Sequence, residues 1–240
     1  MENTNQIISI ETVKKVVSSL FPDYWKQTEA CLATVATLLL EKNANPTSLI
    51  LIGTPGSGKT TVLDFFTNKE ITYRCDSFTS KSFVSGYAKK SREALEKDVD
   101  LISRFEKKCF IVPDFGVFFG KRKDDRGETL GILTRLCDGH GLVLADGVQG
   151  ERKHTGDCMF AMLCGTTPFG YHLWDVMGRF GSRLLFMQMS DIEQSQSIEE
   201  SDGDIQSVIE EIPYADKLAQ CQEVINRYLA TLWEEKGGID

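Results

Sequence analysis

Residues 53–60 read Gly-Thr-Pro-Gly-Ser-Gly-Lys-Thr, a spacing that supplies the chemistry for gripping a chain of phosphates. Gly53, Gly56 and Gly58 let the backbone bend so that successive N–H groups, with Pro55 and Ser57 shaping the turn, point at phosphate oxygens. Lys59 reaches the β- and γ-phosphates. The Thr60 hydroxyl is placed to ligate Mg²⁺, and Thr61 continues the loop into a helix. At ordinary residue frequencies this pattern arises by accident in roughly one chain of this length in a hundred. The flanks make accident rarer still: Ser48–Ile52 is a buried-strand run and 61–66 the first turns of a helix. The expected ligand is ATP with Mg²⁺.

Four further residues or pairs stand where apolar runs meet polar ones. Asp76 follows the run 71–75, and Asp114 follows 109–113 (CFIVP). Thr166 and Thr167 follow 160–164, while Arg183 immediately precedes 184–189, with Arg179 four residues earlier. A carboxylate near Mg²⁺ and the attacking water, a hydroxyl near the γ-phosphate and a guanidinium spread over phosphate oxygens are the groups that phosphoryl transfer uses. Each also has a plain structural use, as a strand-end turn or a surface charge.

These residues need a frame. Continuous apolar runs alternating with helical segments imply a parallel sheet covered on both faces, with ligands at the carboxyl ends of its strands. The five runs (48–52, 71–75, 109–113, 160–164 and 184–189) give an α/β fold with a five-stranded parallel sheet. Ile10–Leu20 and 23–42 are read as helices, 80–101 as largely helical, and 129–137 as a short amphipathic helix. The stretch 141–157 is read as a β-hairpin turning at Asp146-Gly147. The segment 213–235 is read as a closing helix with Pro at its start, burying Leu218, Cys221, Ile225, Leu229 and Leu232.

In order, the P-loop, an acid after a strand, a Thr after a strand and an Arg before a strand resemble the AAA+ ATPases. The combination GTTP then GRFGSRLLF is similar to AAA-like ATPases of prophages and other mobile elements. The likeness covers roughly residues 48–189. It implies a P-loop NTPase core, Asp114 at Mg²⁺ or the attacking water, Thr166 or Thr167 as sensor 1, and Arg183 (in preference to Arg179) as a finger reaching a neighbouring subunit. It also implies a pre-sensor-1-type hairpin and a homo-oligomer, a hexameric ring. The third strand departs from the family's paired acids. If Asp114 is the Mg²⁺-organising acid, Phe115 stands in the Glu position; aligned one residue earlier, Pro113 takes the Asp position and Asp114 the catalytic one. Asp76 is the candidate for the missing acid. Arg227 is the only Arg after 183, on the closing helix; with room for about one or two lid helices, either the lid is abbreviated or the chain is part of a longer protein.

The expected domains are an N-terminal helical segment 1–47, an ATPase core 48–189, an acidic flexible linker or insertion 190–211 and a lid-like helix 212–240. The net charge of −8 hides an asymmetry, since residues 190–240 carry thirteen Asp/Glu against three Lys/Arg. The body is therefore near neutral, and the acidic balance does not exclude a nucleic-acid partner. The hairpin's return arm carries Arg152, Lys153 and His154, suited to tracking phosphates, so DNA is the expected partner there. A second basic cluster is Lys121, Arg122, Lys123 and Arg126. The competing expectation is a slow nucleotide-dependent switch or assembly ATPase acting on protein partners. A small-molecule kinase has no acceptor-binding motif to support it. Seven cysteines without a C-x-x-C pair are expected to be reduced thiols. No run approaches the ~20 apolar residues of a membrane span, and 1–6 lacks a signal peptide's regions; a cytoplasmic location is the expectation.

Overall fold

The computed structural model describes residues 8–40, 45–84, 100–146, 150–168, 170, 178, 183–189 and 212–236. In chain order its helices are α1 (Ile10–Leu20), α2 (Trp25–Ala36), α3 (Lys59–Asp64), α4 (Ser80–Phe83), α5 (Leu101–Phe105), α6 (Gly116–Phe119), α7 (Lys123–Cys137) and α8 (Tyr214–Lys236). The strands are β1 (Ser48–Ile52), β2 (Thr72–Arg74), β3 (Cys109–Val112), β4 (His140–Asp146), β5 (Gly150–Asp157), β6 (Ala161–Thr166) and β7 (Leu184–Gln188).

Five strands form one sheet in the order β2-β3-β6-β1-β7, every pairing parallel. The continuous apolar runs have the expected cause, because β1, β3 and β6 are buried along their whole length. Successive side chains alternate between two cores. Ile50, Ile52, Phe110, Val112, Met162 and Cys164 face the layer of α4, α5, α6 and α7. Leu49, Leu51, Cys109, Ile111, Ala161 and Leu163 face α1, α2, α3 and α8. The result is a three-layer α/β fold whose central strands have no solvent face.

β4 and β5 pair antiparallel as a separate two-stranded sheet, with Val143 opposite Lys153 and Leu144 opposite Arg152. Its root is held by Leu142, buried in the first core.

Helix boundaries correct several sequence expectations. The second helix ends at Ala36 and continues only as a 3-10 turn over Thr37–Leu39. There the Thr37 hydroxyl donates to the Thr34 carbonyl and accepts from the Thr47 N–H, drawing the chain toward β1. The expected 129–137 helix begins earlier, at Lys123, with Asp124 and Asp125 in its first turn where the helix dipole favours acids. That places Lys123 and Arg126 on a helix rather than in a basic loop. Lys121 packs against Phe78 and Phe118 and donates to the Phe78 carbonyl, and Arg126 donates to the Phe119 carbonyl. The linker 190–211, most of the 80–101 segment, and Arg179 and His172 lie outside the described residues. Among the described residues no helix is long and apolar enough to cross a membrane.

Candidate functional site

The loop 53–58 leaves the carboxyl end of β1 with Gly56 at φ +82° and Gly58 at φ +83°, left-handed values that glycine adopts without strain. The Ser57 N–H donates to the Thr54 carbonyl at 3.2 Å, closing the turn. Gly53 is held in register by its own N–H, which donates to the Thr166 carbonyl at 3.1 Å. A side chain at Gly53 would meet Ser57 Oγ at 2.4 Å, so the loop folds tightly on itself there. The Lys59 ammonium donates to the carbonyls of Gly53 and Thr54, each at 2.7 Å, and to Ser57 Oγ at 3.2 Å. Desolvation lowers the Lys59 pKa from its ordinary value, and the nearby Asp114 carboxylate opposes that shift. Thr60 is exposed at the mouth of the loop.

Strand order places the remaining chemistry around this loop. β6 lies between β1 and β3, so the loops leaving all three converge on one edge of the sheet. The Phe115 N–H donates to the Gly165 carbonyl at 2.7 Å, stitching the β3 end to β6. A side chain on Gly165 would lie 2.6 Å from the Pro113 carbonyl oxygen, and one on Gly116 would lie 2.9 Å from Asp114 Oδ1 and 3.6 Å from Thr166 Oγ1. Two unremarked glycines therefore let the acid and the threonine approach each other. Asp114 is exposed and accepts from the Gly116 N–H at 3.0 Å, while Thr166 is only 1% exposed. Thr167 is exposed beside it, and the Thr166 hydroxyl donates to the Thr167 carbonyl at 3.1 Å.

Phe115 turns the other way. It is 1% exposed and packs with Phe118 and Phe119 in the core. The residue beside Asp114 is thus committed to folding. Asp76 sits two residues beyond β2, its side chain 87% exposed, and lines a small recess with Asp114, Phe115 and Lys121. Thr60 and Asp114 are both exposed and offer a hydroxyl and a carboxylate, oxygen ligands of the kind that would hold Mg²⁺, an ion that takes one or two protein oxygens and otherwise keeps phosphate and water. Among the described residues no group of three or more His, Cys, Asp or Glu gathers as a metal cage.

Arg183 is brought to a different place. β7 pairs with β1 in register from Ser48 opposite Leu184, so Arg183 stands at the amino end of the sheet. Five residues of β1, at about 3.3 Å each, separate that edge from the loop 53–58. Arg183 Nε donates to Asp138 Oδ1 at 2.5 Å and Nη2 to Oδ2 at 2.9 Å, a two-pronged pairing. A cleft of about 390 Å³ opens beside it, lined by Pro46, Thr47, Cys137, Asp138, Arg183 and Leu185.

Of the expected hairpin, β4 and β5 pair antiparallel, while the side chains of Arg152 and Lys153 and the residues 147–149 lie outside the described residues. His154 is inward-looking: Nε2 is 3.3 Å from Glu106 Oε2, and the side chain is 17% exposed. The seven cysteines are all unpaired with one another, and burial pushes the thiols of Cys137 and Cys158 up to about 12 and that of Cys221 to about 11. Raised in this way, those three thiols are poor nucleophiles.

Sequence reasoning missed an aromatic group at the start of α3. Phe21 and Tyr24 stack at 5.7 Å, Tyr214 meets Phe21 edge-on at 5.9 Å, and Tyr214 Oη lies 2.9 Å from Thr61 Oγ1. Tyr24 occupies the space a side chain on Gly58 would fill. Further along α8, Gln222 donates to the Asp64 carbonyl and Asn226 to Thr67 Oγ1. The first half of α8 is thereby tied to α3 and to the turn that follows it. The signal was weak: Tyr214 follows Pro213 at a helix start, which marks the boundary but not the partner.

No family model matches the chain, and no curated protein matches it. Among solved structures it is similar to the A form apo structure of the NrS-1 C-terminal region, with a TM-score of 0.45 and 12% identity over 95% of this chain and 48% of that one. A second apo structure of that region gives a TM-score of 0.41 and 13% identity over the same shares. The chain spans about half the length of these structures.

Proposed function

We propose that this chain is an AAA+-type P-loop ATPase that binds ATP–Mg²⁺ on 53–61, hydrolyses the nucleotide within a homo-oligomeric, hexameric ring, and remodels or moves along DNA. One observation carries the reading: Lys59, Asp114 and Thr166 are gathered at one edge of the parallel sheet, around a loop with two left-handed glycines. On this reading the loop N–H groups and Lys59 hold the phosphates, Thr60 and Asp114 hold Mg²⁺, and Thr166 orients the attacking water or γ-phosphate. Position supports a role in trans for Arg183, because the length of the strands separates it from its own P-loop. The β4–β5 sheet, carrying Arg152 and Lys153, is the element offered to DNA phosphates. Gln222, Asn226 and Tyr214 would make α8 a short lid that moves with the P-loop helix.

Mg²⁺-dependent ATP turnover, measured with and without single- and double-stranded DNA, tests the reading. Turnover stimulated by DNA and reduced in the Arg152→Ala/Lys153→Ala variant is the expected result. ATP binding with negligible turnover in every condition would replace it with the second reading, a slow nucleotide-dependent switch acting on protein partners. The burial of Phe115 beside Asp114 favours that alternative, since it leaves the exposed Asp76 as the candidate second acid.

A further inference from the structure

Asp138 is in an electrostatically poor position for its own helix. It caps the carboxyl end of the 15-residue α7, where the dipole repels a carboxylate. The backbone nonetheless fixes it there. The Asp138 N–H donates to the Thr134 and Arg135 carbonyls, and Gly139 at φ +76° ends the helix with its N–H on the Leu136 carbonyl at 2.9 Å. What the carboxylate gains is Arg183, gripped through Nε and Nη2. Both side chains are one-third exposed, at the mouth of the cleft formed by Pro46, Thr47, Cys137 and Leu185.

We propose that Asp138 is the positioning residue of Arg183, holding the guanidinium at the subunit boundary so that it meets a neighbouring protomer's γ-phosphate already oriented. The inference rests on reading Arg183 as a residue that acts in trans. A long arginine side chain carries substantial rotamer entropy, and a carboxylate clamp on one edge of its plane removes that cost before the neighbour arrives. A guanidinium carries five N–H donors, and the Asp138 pairing uses Nε and Nη2. Asp138 contributes orientation and takes no part in bond breaking.

Steady-state ATP turnover of the assembled wild-type chain, Asp138→Asn, Asp138→Glu, Arg183→Ala and the Asp138→Asn/Arg183→Ala double variant tests this, with thermal unfolding of each recorded alongside. Loss of one charge-assisted clamp is expected to lower kcat about tenfold in Asp138→Asn, with KM for ATP within about twofold of wild type. Asp138→Glu recovers part of the loss, and the double variant is no slower than Arg183→Ala alone. If Arg183→Ala is impaired while Asp138→Asn turns over like wild type, this inference fails and the trans reading stands. A deficit in Asp138→Asn that multiplies in full with that of Arg183→Ala also overturns it, because Asp138 would then act elsewhere. Arg183→Ala turning over like wild type removes both.

Discussion

The two edges of the central sheet are built on opposite principles. At the carboxyl edge, backbone does the work: left-handed glycines, N–H groups and close approaches at Gly53, Gly116 and Gly165 shape a cradle around short side chains. At the amino edge, a long side chain, Arg183, is gripped through Nε and Nη2 by the Asp138 carboxylate. The first arrangement suits a ligand that must be enclosed. The second suits a contact made and released, because few groups need to move. On the proposed function, a nucleotide gripped at one edge and sensed from the other would link each subunit's chemistry to its neighbour's presence.

The contrast can be broken most decisively by comparing Lys59→Ala with Arg183→Ala. Both are expected to lower turnover, the arginine variant by about a thousandfold. Only Lys59→Ala should also weaken nucleotide binding, measured by titration with a fluorescent ATP analogue. Equal losses of binding would abolish the division of labour between the edges. Asp114→Asn comes next: turnover is expected to fall about a hundredfold, as when one electrostatic stabiliser of the transition state is removed. ATP affinity in the absence of Mg²⁺ should be unchanged, and a large loss of it would make Asp114 a folding residue.

A smaller effect tests the backbone principle directly. Gly165→Ala would press a methyl to within 2.6 Å of the Pro113 carbonyl, and destabilisation of about 1–3 kcal/mol is expected. That corresponds to a drop of roughly 2–12 °C in Tm. Unchanged melting would show that the β3–β6 contact is looser than described. The smallest effect concerns acid. The hydrogen bond to Arg183 lowers the folded Asp138 pKa below its ordinary 3.8. Its contribution to stability is therefore fully present above the unfolded value and is lost as pH falls through the lower folded one. Urea titrations between pH 5 and pH 2 should show slightly less acid loss in Asp138→Asn than in wild type. Solvent screening of a pair that is one-third exposed keeps the difference small.

The frame was largely legible because its signals are local. Five apolar runs became the five parallel strands within a residue or two, and Ile10–Leu20 became α1 with both ends as read, since Ser9 caps the start. Lys123 at the start of α7 was missed because its first turn is wholly charged, and apolar periodicity does not register there. At the site, Asp76, Asp114 and Thr166 were legible as strand-end residues, but Phe115 could be read only as a substitution. Its burial with Phe118 and Phe119 depends on which face of β3 meets α6, and that is a tertiary fact.

By itself, the sequence determined the glycine and lysine spacing of the loop 53–60, the alternation that demands a doubly covered parallel sheet, and the polar residues at strand ends. Those follow from bond geometry and burial within a few residues of chain. Tertiary structure decided which strand ends share an edge, that β6 lies between β1 and β3, that Arg183 stands across the sheet from the loop, and that Asp138, 45 residues earlier, is its partner. Strand order is set by how whole layers pack, so no local pattern could have announced that pairing.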